Sequence, residues 1–143
     1  MASGFSTYLD NGLLNAVFSG VSYTSPSKYY ALFTGDAGLS ADAPTKEVTG
    51  GGYARVAAAH STFTAAANSM VTNNAEVTFP VAAEGWGTIT HVALMDALTN
   101  GHVLAYAQIM SPDGSQPMPK IVNAADQFII RVSGVKFGME DKA

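Results

Sequence analysis

Residues 88–110, TITHVALMDALTNGHVLAYAQIM, place two apolar, β-favouring runs on either side of an Asn100-Gly101 pair. Asn-Gly accepts the positive φ angles of a tight hairpin, so 88–95 and 102–110 are expected to pair as antiparallel strands. No other feature constrains the fold as strongly, because a ladder with an apolar face is stable only against a second layer. The rest of the chain offers material for that layer. YYALFT (29–34), STFTAAANSMVTN (61–73), AEVTFP (75–80) and QFIIRVSGVKFG (127–138) read as further short strands, the last broken by a bulge at Gly134. EVTGGGYARVAAAH (47–60) leads through three glycines into a strand carrying Tyr53 and Arg55. The segments 35–46 and 111–119, rich in Gly, Pro, Asp and Ser, read as loops.

The first twenty residues follow a different period. Phe5, Tyr8, Leu9, Leu13, Ala16 and Val17 recur at spacings of three and four, which puts them on one stripe of an amphipathic helix over 1–20. Ser3 or Ser6 is placed to cap its start and Gly20 to end it. Gly12, inside the pattern, costs the helix up to ~1 kcal/mol against Ala. The stripe has no Lys or Arg beside it, so it is expected to dock on the protein rather than lie on a membrane. These elements predict an all-β chain: a single antiparallel β-sandwich or jelly-roll-like domain with an N-terminal amphipathic helix. One domain spans 1–143, with the helix at 1–20, the sandwich at 28–138 and a short charged tail at 139–143.

Charge narrows the function classes. Only 13% of residues are charged, about half the usual fraction for a soluble domain. Much of the surface is therefore Ser, Thr, Asn, Gly and Ala, and part of it is expected to face a partner. The cations Lys28, Lys46, Arg55, Lys120, Arg131, Lys136 and Lys142 are scattered along a chain of net charge −4, which argues against nucleic acid. Absence of cysteine excludes disulfides and thiolate zinc sites. No secretory signal and no run of ~18 apolar residues is visible, so a soluble cytoplasmic product is expected.

Candidate chemistry is sparse. His91 lies in a strand among apolar neighbours, and Asp96 sits at the mouth of the following turn on the opposite face. That spacing does not bring imidazole, carboxylate and nucleophile together, so His91 reads as a structural or interfacial residue. His60, His91 and His102 have no metal-ligand spacing, and Asp36 and Asp42 lack the dense oxygen pattern of a calcium loop. TGGGYAR (49–55) has no P-loop lysine and leads into a strand, so its glycines read as a turn or bulge. Trp86, between Gly85 and Gly87, reads as a core anchor. Its alternative is a sugar-stacking platform that uses Asp96. No catalytic, cofactor or metal residue is expected.

The motifs STYLDNGLLNAVFSGVSYTSPSKYYALFTG, KEVTGGGYARV, NNAEVTFPVAAEGWGTITHVALMD, GHVLAYAQI and KIVNAADQFII, in that order, resemble a family of small tailed-bacteriophage virion proteins. Its members are usually labelled tail fibre proteins, and some look like capsid cement or decoration proteins. The resemblance runs from Ser6 to Phe137 and is most specific at Gly50–Arg55 and Phe79–Asp96. Two departures stand out: SPDGSQPMP looks inserted, and Ala125-Asp126 replaces a usual Gly-Asp. The resemblance implies a non-enzymatic structural protein of the virion, assembled in the host cytoplasm. It is read first as capsid cement bound across major capsid protein subunits and self-associating as a dimer or trimer. A tail or fibre-base component is the alternative, and a carbohydrate-binding module a remote third. The helix and the 35–46 and 111–119 loops are the expected docking surfaces.

Overall fold

The computed structural model describes residues 4–138. The elements in chain order are β1 (Gly4–Phe5), α1 (Thr7–Phe18), β2 (Tyr29–Phe33), β3 (Val56–Ala57), β4 (Met70–Thr72), β5 (Val77–Val81), β6 (Gly87–Ile89), β7 (His91–Met95), β8 (Val103–Gln108), β9 (Lys120–Val122), β10 (Gln127–Ile130) and β11 (Lys136–Gly138). A five-stranded sheet runs in the order β1-β8-β7-β2-β3, and three two-stranded ladders are formed by β5 with β10, β4 with β11 and β6 with β9. Every pairing is antiparallel. The fold is all-β with one helix.

Side-chain alternation explains how the layers meet. On β2 and β7, Tyr30, Leu32, Val92 and Leu94 point to one face and Ala31, Phe33, Ala93 and Met95 to the other. The first face packs on Phe79, Phe128, Ile130 and Phe137 from the ladders, with Trp86 and Ile89 beside them, and forms the main core. The second face is closed by Leu39 of the 35–46 loop, which is fully buried against Phe33, Met95 and Val103. Burial on both faces is why β7 is apolar from Val92 to Met95, although an antiparallel strand with one wet face would alternate. Leu104 is the extra residue of a bulge, since Leu94 pairs with Ala105 while Met95 pairs with Val103.

The 96–102 hairpin forms as expected, with Asn100 and Gly101 at φ +55° and +75°. Several boundaries differ from the sequence reading. Residues 88–95 are not one strand: Thr90 separates β6, which pairs with β9, from β7, which pairs with β2 and β8. Its N–H is taken by Phe33 O and its carbonyl by Ile109 N, so the chain changes partners there. Residues 127–138 likewise form two strands in different ladders, joined by a turn with Ser133 at φ +60°. The 61–73 segment is a 3-10 turn at His60–Thr62 followed by β4 alone. The glycine run yields only the short β3, while β1 and β9 form where no strand was expected.

The N-terminal helix is shorter than 1–20 and docks less. Gly4 and Phe5 pair with Tyr106 and Ala105, so Phe5 belongs to a strand rather than to the helical stripe. Ser6, fully buried, caps α1: its Oγ accepts from Leu9 N and donates to Val103 O. Ser3 and the 139–143 tail lie outside the described residues. No residue of α1 is buried, and of the expected docked stripe Leu9, Leu13 and Ala16 are half-buried, with Leu9 alone of the helix packed on the main core. Gly12 has a packing reason, because a Cβ there would stand 2.9 Å from the Tyr23 ring.

Candidate functional site

The residues singled out in the sequence do not converge. His91 is buried on the second face of the sheet, its Nδ1 2.8 Å from Thr90 Oγ1 and its Nε2 without a partner among the described residues. Burial pushes its pKa down, opposed by the charge of Asp36. Asp96 is elsewhere, and its Oδ1 accepts from His102 N at 2.6 Å across the hairpin mouth. Trp86 is a core anchor: it is buried, its Nε1 donates to Gly51 O at 2.9 Å, and its ring meets Tyr53 edge to face at 5.5 Å. The sugar-platform reading fails on that burial, because neither ring face is open to a ligand.

The glycine run is a tight turn. Gly50, Gly51 and Gly52 all have positive φ (+74°, +59° and +80°), and a Cβ at Gly51 would press on Glu84 O and the Trp86 ring at 3.0–3.1 Å. The turn delivers Tyr53 and Arg55 to Glu47. Arg55 donates from Nε and Nη2 to the two Glu47 oxygens at 2.8 and 2.7 Å, and from Nη1 to Ala97 O and Asn100 O at 2.7 and 2.8 Å. Tyr53 OH donates to Glu47 Oε2 and accepts from Leu32 N. Burial and the Glu47 charge push the Tyr53 phenol far above its usual range, which keeps it a donor. Arg55 thus fastens the hairpin tip to the sheet.

A second cluster went unseen in the sequence. Asp42, at φ +59°, accepts from Val103 N at 2.7 Å and contacts His102 Nδ1 at 2.6 Å, and the His102 ring stacks on Tyr8 at 3.8 Å. It ties the 35–46 loop, α1 and the hairpin together. Asn73 is another unforeseen residue: fully buried, it bonds Ala75 O, Arg131 O and Val135 N and fixes the turn between β10 and β11. In the 111–119 loop, hydrogen bonds from Ser111 and Ser115 hold the Asp113 carboxyl down to about 2. Among the described residues, no group of three or more His, Asp or Glu is arranged to hold a metal ion.

What these contacts leave open is apolar surface. Leu14, Val17, Phe18 and Val21 form an exposed ridge along the end of α1, with Val17 and Phe18 74% and 80% exposed. Beside it runs an open groove whose lining includes Phe5, Leu13, Leu14, Met118, Ile121 and Ile129. Of the expected docking elements, α1 and the 111–119 loop border this surface, whereas the 35–46 loop turns Leu39 inward.

With the geometry in hand, comparison with known proteins adds one decisive match. Residues 4–137 match the family described as podophage GP4 fiber I protein gp80. The chain belongs to this family. The match runs from β1 into β11 and agrees with the tailed-phage virion proteins that the sequence motifs resemble. No curated protein matches the chain.

Proposed function

We propose that the protein is a fibre component of a tailed-phage particle, assembled in the host cytoplasm, that works by docking and not by catalysis. The family match over 4–137 carries this reading. The disposition of polar groups supports it: the carboxylates of Asp42, Glu47, Asp96 and Asp113 each hold a loop or turn in place. A docking protein needs outward-facing apolar surface instead, and α1 with its neighbouring groove provides it. Antibody-gold labelling of purified particles tests the reading. Label confined to the tail or its fibres is expected, and label spread over the shell would contradict it. That second pattern belongs to the competing reading, a cement protein across major capsid protein subunits. The lack of any shaft-like repeat within residues 1–143 favours cement.

A further inference from the structure

An asparagine or aspartate followed by glycine is open to attack from its own main chain, because a glycine without Cβ lets its nitrogen approach the side-chain carbonyl. The chain has three such pairs: Asn11-Gly12, Asn100-Gly101 and Asp113-Gly114. Asn11, Asn100 and Asp113 are all exposed, so exposure does not rank them. What differs is the glycine N–H. Gly12 lies inside α1, where its N–H belongs to the helical ladder, and the Tyr23 ring packs where a Cβ would stand. Gly114 N donates to Ser111 O at 2.8 Å, and the Asp113 carboxylate accepts from the Ser111 and Ser115 hydroxyls. At the hairpin tip, neither the Gly101 N–H nor the Asn100 side-chain amide has a hydrogen-bond partner among the described residues. Arg55 Nη1 donates to Asn100 O at 2.8 Å, the atom on which negative charge gathers as the Gly101 nitrogen gives up its proton. The Asp96 carboxylate stands beside the same glycine and can take that proton, directly or through water.

We propose that Asn100 is a site of spontaneous modification in the folded protein, converted through a cyclic imide to aspartate and isoaspartate, while Asn11 and Asp113 stay intact. In the first step the Gly101 nitrogen bonds to Asn100 Cγ and loses its proton. The Cγ–Nδ2 bond breaks, and the proton leaves with that nitrogen as ammonia. Water then opens the imide. Opening at Cγ gives aspartate, whereas opening at the main-chain carbonyl gives isoaspartate, in which the chain runs through Cβ and Cγ. Either product adds a negative charge at the tip. Isoaspartate also lengthens the backbone between Ala97 O, held by Arg55, and His102 N, held by Asp96, so the tip loosens as the protein ages. The reaction needs only the folded chain and water, so its failure and that of the fibre reading are separate events.

The full chain is incubated at neutral pH, folded in one sample and unfolded in guanidinium chloride in another. Peptide mass spectrometry locates the products, and enzymatic methylation counts isoaspartate. In the folded chain Asn100 is expected to convert about tenfold faster than Asn11 or more, since Gly12 N is released only when the helix opens. No isoaspartate is expected at residue 113. In the unfolded chain the two asparagines are expected to convert at similar rates. Asn100→Gly removes the reacting side chain and accepts the positive φ of that position, so this variant is expected to lose the slow gain of negative charge. Aged wild type is expected to show a lower urea midpoint than fresh protein, and aged Asn100→Gly an unchanged one. Asn11 converting as fast as Asn100 in the folded chain, isoaspartate forming first at Asp113, or Asn100 intact while the unfolded chain converts would each overturn the inference. A midpoint that does not fall with modification would overturn its effect on the hairpin tip.

Discussion

Ala125 adopts φ +72°, a left-handed conformation that costs an L-residue about 1–2 kcal/mol relative to the right-handed one. Its N–H donates to Ala82 O at 2.7 Å and holds the turn between β9 and β10. The motif that this segment resembles has glycine there, so the departure seen in the sequence is a strained position in the structure. Ala125→Gly is expected to raise stability by about 0.5–1 kcal/mol after the extra chain entropy of glycine is subtracted. A lower urea midpoint for the variant would contradict this. His91 behaves differently. Its folded pKa lies below the ordinary 6.5, so as pH falls through about 6.5 the unfolded chain takes up a proton before the native one, and stability drops. Between about pH 7.5 and pH 5.5 the wild type is expected to lose more thermal stability than His91→Leu. Equal losses would show that the buried imidazole is not the group responsible. Residues whose role is set by near neighbours were legible in the sequence: Asp96 and Asn100 in their turn and Ser6 as a cap; Trp86 was legible as an anchor from its residue type alone, since its partners Gly51 and Tyr53 are remote in sequence. Asn73 and the Asp42–His102 contact were not, because their partners stand 58 to 62 residues away.

At the scale of elements, the hairpin was readable because its turn chemistry and its apolar runs agree. The split strands were not, since β6 and β7 are contiguous in sequence and differ only in which strands they pair with. The helix was overextended because Phe5 falls in phase with the stripe while its backbone joins β8. The glycine turn gained its meaning from Arg55, which binds a carboxylate and two hairpin carbonyls from one guanidinium. Arg55→Ala leaves Glu47 half-buried without its cation and frees the hairpin tip, so a loss of about 2–4 kcal/mol is expected. Arg55→Lys should recover only part of it, because an ammonium cannot fork to both oxygens and both carbonyls. Chemical denaturation of the three proteins gives the comparison, and an Arg55→Ala variant as stable as wild type would rule out the clamp.

At the scale of the whole molecule, polar groups bind loops to the sheet while apolar groups remain on the outside of α1 and along the groove. That division suits a protein whose task is to be part of an assembly, and its family is that of a phage fibre protein. The low charge content pointed to a partner-facing surface, whereas the groove itself was invisible in the sequence. Its walls come from α1, the 111–119 loop and β9 to β11, brought together only by folding. The most direct measurement is the protein's copy number in purified particles, by quantitative mass spectrometry against the major capsid protein. A small, fixed number of copies, far below that of the capsid subunits, is the predicted result. Parity with the shell subunits, or absence from the particles, would contradict it.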